Sequence, residues 1–289
     1  MFKNFNPNMI GLRGRPLADA LAMAAEGGFA GIDFDIREAA ALADAHGLEH
    51  VRGMFAAAGI RPGAWSLTVV YRQDEDQYRA GLAELPRFAE LGQKLGATRV
   101  GSGVGPSSPD REYAANFAWH VQRLRPVAEV LKEHDCRLSV EFIGPKTLRA
   151  RHPHEFIYTL GGLIELWEAI GTGNVGVTLD AWHLYTSGGG LDDLDRVTNR
   201  DVVNVHVNDA PPGIPRDEQI DNQRTLPMET GVLDLVGFMG KLRSIGYDGP
   251  VTVEPFSQRL NDLAATDPKA AVAETARSLD KLWRAAELA

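Results

Sequence analysis

The fold this sequence predicts is a (β/α)8 TIM barrel, built as one domain over residues 1–289, and three observations carry that reading. Short apolar runs alternate with amphipathic helical stretches from end to end, without a linker or low-complexity break. Four of the later runs carry metal-binding groups at or near their C-terminal ends: RLSVEF with Glu141, VGVTLD with Asp180, VVNVHV with His206 and VTVEPF with Glu254. Polar groups at strand C-termini are how such a barrel assembles a site. The rival, an open doubly wound sheet, carries a glycine-rich phosphate loop after its first strand, and none stands there. The segment GSGVGPSSP, Gly101 to Pro109, follows the fourth strand and reads as a tight loop at the barrel mouth.

Taken in order, the first strand falls near Lys3 to Asn6 and is followed by a helix from Pro16 to Glu26. FAGIDFD, Phe29 to Asp35, is the second strand, and an Ala-rich helix runs on through Val51 to Ala58. A Pro-Gly turn marks the third strand within Gly59 to Leu67. Tyr78, Leu82, Leu85 and Phe88 recur at three- and four-residue spacing, so Glu75 to Leu95 is helical. ATRVGSG, Ala97 to Gly103, is the fourth strand, and Phe117, Val121, Leu124 and Val127 stripe the helix within Arg111 to His134. The four ligand-bearing runs are strands five to eight. Between them fall the helices Leu163 to Ile170 and Leu233 to Ile245, and Lys269 to Ala286 closes the ring.

Composition bounds the function. At 44% hydrophobic and 24% charged residues the chain is ordinary globular material. Its formal charge of −9 gives no general reason to bind nucleic acid or an anionic membrane. A local basic pocket can still come from Lys146, Arg149 and Arg151. No apolar stretch approaches the roughly 18 residues of a membrane span, and MFKNFNPNMIGL lacks a signal-peptide core. Cys136 is the only cysteine, so no intrachain disulfide forms, and a cytoplasmic location is expected. The long C-terminal helix and Ala-rich second helix leave room for a homodimer or homotetramer.

Three carboxylates and an imidazole suit one divalent ion, Mn²⁺ first, with Co²⁺ or Mg²⁺ as alternatives, and not a thiolate-seeking metal. His183 lies three residues beyond Asp180, placed to reach a substrate oxygen or to support the metal. Strand alternation puts His206 and Asn208 on one face, with Asp209 just past the end. Asp209 is a candidate to accept the imidazole's other N–H, and fixing the loop is its competing role. Trp65 and Trp182 are the aromatics expected to face substrate.

VEFIGP, LDAWH, HVNDAP and VTVEPF, in this order, resemble the sugar isomerase/epimerase branch of the xylose-isomerase-like TIM barrels. That superfamily includes inosose isomerases and dehydratases, ketose 3-epimerases and endonuclease-IV-type enzymes, and the resemblance spans essentially the whole chain. It implies Glu141, Asp180, His206 and Glu254 as metal ligands, Glu141 and Glu254 as the acid/base pair, and His183 as a substrate contact. The loop Pro211 to Gly231 resembles the family's arginine-bearing lid, with Arg224 before Leu226-Pro227 as the best match and Arg216 the competitor. One departure counts against a simple ketose 3-epimerase. Those enzymes place a second substrate-binding glutamate a few residues beyond the first ligand, and here the stretch from Phe142 to Leu148 holds none.

The chemistry expected of such a site is proton abstraction beside a sugar carbonyl through an enediolate, giving an isomerase or epimerase of a sugar or keto-sugar. A lyase acting on a keto-inositol or 3-keto-sugar shares the first step and remains the alternative. More distant are an abasic-site endonuclease and a non-enzymatic sugar-binding barrel. The nuclease reading lacks the histidines expected after the second and third strands, which end in IDFD and AWSL.

Overall fold

The computed structural model describes residues 1–288. The strands are β1 (Phe2–Phe5), β2 (Gly31–Ile32), β3 (Arg61–Pro62), β4 (Ala64–Ser66), β5 (Arg99–Val104), β6 (Ser107–Ser108), β7 (Arg137–Phe142), β8 (His154–Glu155), β9 (Val175–Asp180), β10 (Val202–Val207) and β11 (Pro250–Val253). Nine of them form one parallel sheet in the order β3-β2-β1-β11-β10-β9-β7-β5-β4, and β6 and β8 pair antiparallel beside it. The sheet begins at β3 and ends at β4, which only Gly63 separates in the chain, so the sheet closes into a barrel with helices outside. Gly63 is required there: a Cβ would lie 2.5 Å from Asn4 Oδ1 and 2.6 Å from Asp33 Oδ1.

β7, β9 and β10 occupy the residues read from the sequence, because runs such as VGVTLD are buried almost throughout, as a strand between barrel interior and helix layer must be. Differences concentrate where glycine or a cap intervenes. The Ala-rich helix is two helices, Ile36–His46 and Leu48–Ala58, parted at Gly47, whose φ of 88° and ψ of 156° suit glycine alone. A helix not anticipated from the sequence, Gln258–Thr266, is capped by the Ser257 side chain on Leu260 N–H. Asp267 then caps Pro268–Ala285, which buries Val272, Leu279, Leu282 and Trp283.

Inside the barrel lies a small polar layer. Ser139 hydrogen-bonds Thr178, and Asn4 Nδ2 donates to Thr252 Oγ1 at 2.9 Å. Asn204 pairs in register with Thr178, and Asn4 with Thr252. Each of Ser139, Thr178, Asn204 and Thr252 stands two residues before a candidate ligand, so period-2 alternation turns that ligand inward, directly above this layer.

Candidate metal centre

Parallel register brings the four residues to one level: His206 pairs with Asp180 on β9 and with Thr252 on β11, two positions before Glu254. One ligand atom from each of Glu141, Asp180, His206 and Glu254 lies within 4.8 Å of the others. His206 Nδ1 is central, 3.2 Å from Glu141 Oε1, 3.5 Å from Glu254 Oε1 and 4.0 Å from Asp180 Oδ2. Burial works against a charged imidazole, but Glu254 and Glu141 outweigh it and raise the His206 pKa well above its ordinary value. Burial, reinforced by Glu254, lifts Glu141 against the pull of His206. For Asp180, burial is outweighed by Arg224, His183 and His206, which hold its pKa below the usual carboxylate range. One nitrogen and three carboxylate oxygens converging on a common point fit a hard or borderline divalent cation, which takes over the charge that the imidazolium supplies.

Asp180 is fixed before any ligand arrives. Its Oδ1 accepts from the N–H groups of Trp182 (2.7 Å) and His183 (2.9 Å), capping the helix Ala181–Thr186. Its Oδ2 accepts from Asn208 Nδ2 at 3.1 Å and Arg224 Nη1 at 3.0 Å. The same Nη1 donates to Glu254 Oε2 at 2.7 Å, and Nη2 donates to Asp221 Oδ1 at 2.8 Å. Arg224 therefore bridges two of the four ligand carboxylates while its guanidinium lies over the rings of Trp182 and Phe256 at 4.5 and 4.9 Å. Phe256, directly after Glu254-Pro255, has a φ of 37°, an uncommon geometry for a bulky residue beside the site.

The remaining sequence candidates divide. Of the two lid arginines, Arg224 reaches the site, whereas Arg216 is exposed and lies over Tyr185. His183 is buried between Gly144 N–H, 3.2 Å from Nδ1, and Arg224 Nη2, 3.1 Å from Nε2. Trp65 lines the cavity, with its indole N–H on Ala97 O at 2.8 Å. Trp182 is fully buried and does not line the cavity: its backbone N–H is held by the Asp180 cap and its ring packs against the Arg224 guanidinium. Asp209 holds the loop and not the imidazole: its carboxylate accepts from the N–H groups of Ala210, Thr230, Gly231 and Leu233. Those four donors are nearer than the His206 ring, which projects from the opposite face of an alternating strand. Lys146 pairs with Asp217 and Arg149 with Glu155, so neither adds a cation to the cavity.

Sequence reasoning missed Asp33, which faces the same cavity of about 400 Å³ from the β1–β4 side. It also left unassigned the Asn208 contact to Asp180. Both carried a signal, a polar residue interrupting an apolar run at inward spacing.

Residues 21–282 match the xylose isomerase-like TIM barrel family. The chain belongs to that family, and its curated relatives are named as isomerases. Among its relatives is the inosose isomerase of Halalkalibacterium halodurans, 26% identical over 77% of this chain and 76% of that one. A xylose isomerase domain protein from Alicyclobacillus acidocaldarius superposes with a TM-score of 0.87 at 30% identity, covering 99% of both chains. The IolI protein, solved with a zinc atom bound, superposes at 0.78 with 20% identity over 99% of this chain and 98% of that one, which speaks for the fold alone.

Proposed function

We propose that this chain interconverts keto-sugars or keto-polyols by moving a proton at the carbon beside the carbonyl, with Glu141 and Glu254 as the acid/base pair. The observation that carries the reading is the convergence of the two glutamates, from different strands, on the His206 imidazole, 3.2 and 3.5 Å from Nδ1. Such a proton is too weakly acidic for an unaided carboxylate. Glu141, Asp180, His206 and Glu254 are the residues that would hold a divalent cation, Mn²⁺ by our preference, and the cation would supply Lewis-acid polarisation of the carbonyl. Two carboxylates facing one carbon let one remove the proton and the other return it, giving an epimer or, between adjacent carbons, an isomer.

The supporting residues orient this pair. Asn208 and Arg224 fix Asp180 Oδ2, and Arg224 also ties Glu254 Oε2, which leaves Glu254 Oε1 on the imidazole side. His183, held by Gly144 N–H at Nδ1 and lying 3.1 Å from Arg224 Nη2 at Nε2, is buried behind the ligand carboxylates and braces the arginine that ties them. The lid residues around Arg224 exclude water from the developing charge.

The test is proton NMR in deuterated water with manganese-loaded protein and a panel of ketoses and inososes. Exchange at the carbon beside the carbonyl is expected, and Glu254→Gln should reduce it by at least about a thousandfold, the scale of losing a positioned acid/base group. Undiminished exchange in the variant would remove Glu254 from the proposed role. The product identity separates epimerisation, isomerisation and dehydration.

A further inference from the structure

Across the cavity from the four clustered residues stands a carboxylate that the proposed chemistry does not use. Asp33 follows β2, and its Oδ1 accepts from Asn4 Nδ2 and Ala64 N–H, both at 2.7 Å. Its Oδ2 is held more loosely, by Asn6 Nδ2 and Thr252 Oγ1, both at 3.3 Å. The surroundings are shaped for this group. A Cβ on Gly63 would come within 2.6 Å of Asp33 Oδ1, so the chain between β3 and β4 passes the carboxylate as glycine, and a Cβ on Gly31 would come within 2.7 Å of Oδ1 of Asn4, its hydrogen-bond partner. Among the described residues, no cation lies within 4.0 Å of Asp33 or of Asp35 beside it. Arg37, the cation on this wall, donates to Thr68 O at 2.9 Å. Burial raises the Asp33 pKa against the hydrogen bonds from Ala64, Asn4 and Asn6 and the attraction of His206.

A carboxylate with one loosely held oxygen accepts O–H groups and repels anions. We infer that Asp33, with Asn6 beside it, receives hydroxyl hydrogens from the end of the substrate remote from Glu141, Asp180, His206 and Glu254, and so selects an uncharged polyol end over one bearing a carboxylate or phosphate. The inference rests on the proposed keto-polyol chemistry and narrows its substrate class. Asn8, Ser66 and Ser102 line the same wall and offer further neutral partners for hydroxyls. Unlike the pair at the four-residue cluster, Asp33 is a specificity residue: it touches the far end of the substrate and no reacting atom.

The experiment is calorimetric titration of manganese-loaded protein with an inosose, its set of monodeoxy analogues, and a plain ketose against its terminal phosphate. In the parent, loss of one particular hydroxyl is expected to weaken binding about tenfold, the scale of a hydrogen bond to a charged group. In Asp33→Ala that penalty should vanish while the other analogues keep their ranking. The phosphorylated ketose should bind the parent at least about tenfold more weakly than the plain one. Equal binding of all deoxy analogues, or a penalty that survives in Asp33→Ala, overturns the assignment. Should Asp33→Ala fail to fold, the comparison of plain and phosphorylated ketose in the parent decides: tighter binding of the phosphate overturns the inference. Failure of every neutral keto-polyol to bind overturns it too. Selective binding without proton exchange would leave the subsite standing and remove the proposed reaction.

Discussion

Replacing Arg224 by methionine probes how the metal-free site balances its charge. The guanidinium is buried, with side-chain exposure of 1%, and lies 3.0 Å from Asp180, 2.7 Å from Glu254 and 2.8 Å from Asp221. Methionine keeps the stem and the ring contacts but leaves those carboxylates facing one another. Breaking a buried ion pair from one side costs about 3–5 kcal/mol. At roughly 2 °C per kcal/mol for a chain of this size, the metal-free variant should melt about 6–10 °C below the parent. Metal binding should change in the opposite sense. Two unit charges 4 Å apart in protein interact by about 4 kcal/mol. Allowing half of that for greater separation and lost pre-organisation, removing the competing cation tightens binding by about 2 kcal/mol, about thirtyfold. Scanning calorimetry of chelator-treated protein gives the first quantity and titration with Mn²⁺ the second. A variant as stable as the parent without metal, and binding metal no more tightly, would refute the view that Arg224 is the site's counter-charge. Arg224→Lys, which retains one charge but not the fork, should lie between the two.

Further outcomes follow from groups described above. Because His206 is held protonated above its ordinary value, manganese binding at neutral pH should release a proton; the binding enthalpy will then track the ionisation enthalpy of the buffer, and affinity will rise with pH. His120 is stacked on Phe156 at 4.8 Å, and burial pushes its pKa down to about 4. The unfolded chain takes up that proton near pH 6.5, so this contribution is complete above pH 6.5 and is lost as pH falls toward 4, about 3 kcal/mol in all. Urea midpoints across that window should flatten in His120→Phe relative to the parent. Asp209→Ala orphans four backbone N–H groups at about 1–3 kcal/mol each if they stay buried, so a loss of about 3 kcal/mol or more is expected, together with faster proteolytic cleavage at residues 212–218. Unchanged cleavage would show that the loop is held by other contacts.

The legible part of this protein was the part governed by local pattern. RLSVEF, VGVTLD and VVNVHV read as strands because their neighbours on both sides are apolar, and the ligand at the end of each follows from counting in twos. Glu254 was legible in the same way although it stands one residue past β11. Asp33 carried the same alternation but was passed over, because it has no metal-binding partner on the neighbouring strands and only the closed ring brings it, with Asp35, to the cavity shared with Glu141, His206 and Glu254. For Asp209 the two roles could not be separated in the sequence: three of its four partners lie more than twenty residues along the chain, and they are backbone N–H groups that no side chain announces. Trp182 follows Asp180 in a motif that suggests proximity to substrate, yet its ring is buried against the Arg224 guanidinium.

The anchoring of the long loop has a bearing on how this barrel can change. Asp209, at the start of the stretch, clasps its far end, and Arg224 pins its second half to the strands, so the exposed part lies at 212–218, steadied by Lys146 on Asp217 and by Gln219 Nε2 on Ile214 O. Such an arrangement works as a buckle: the strap beyond it can be lengthened without loosening the fit. Doubling a flexible segment adds only about 0.6 kcal/mol of closure entropy. Insertions at this exposed tip are therefore inexpensive, and the strap can lengthen while the clasp and the four clustered residues stay as they are.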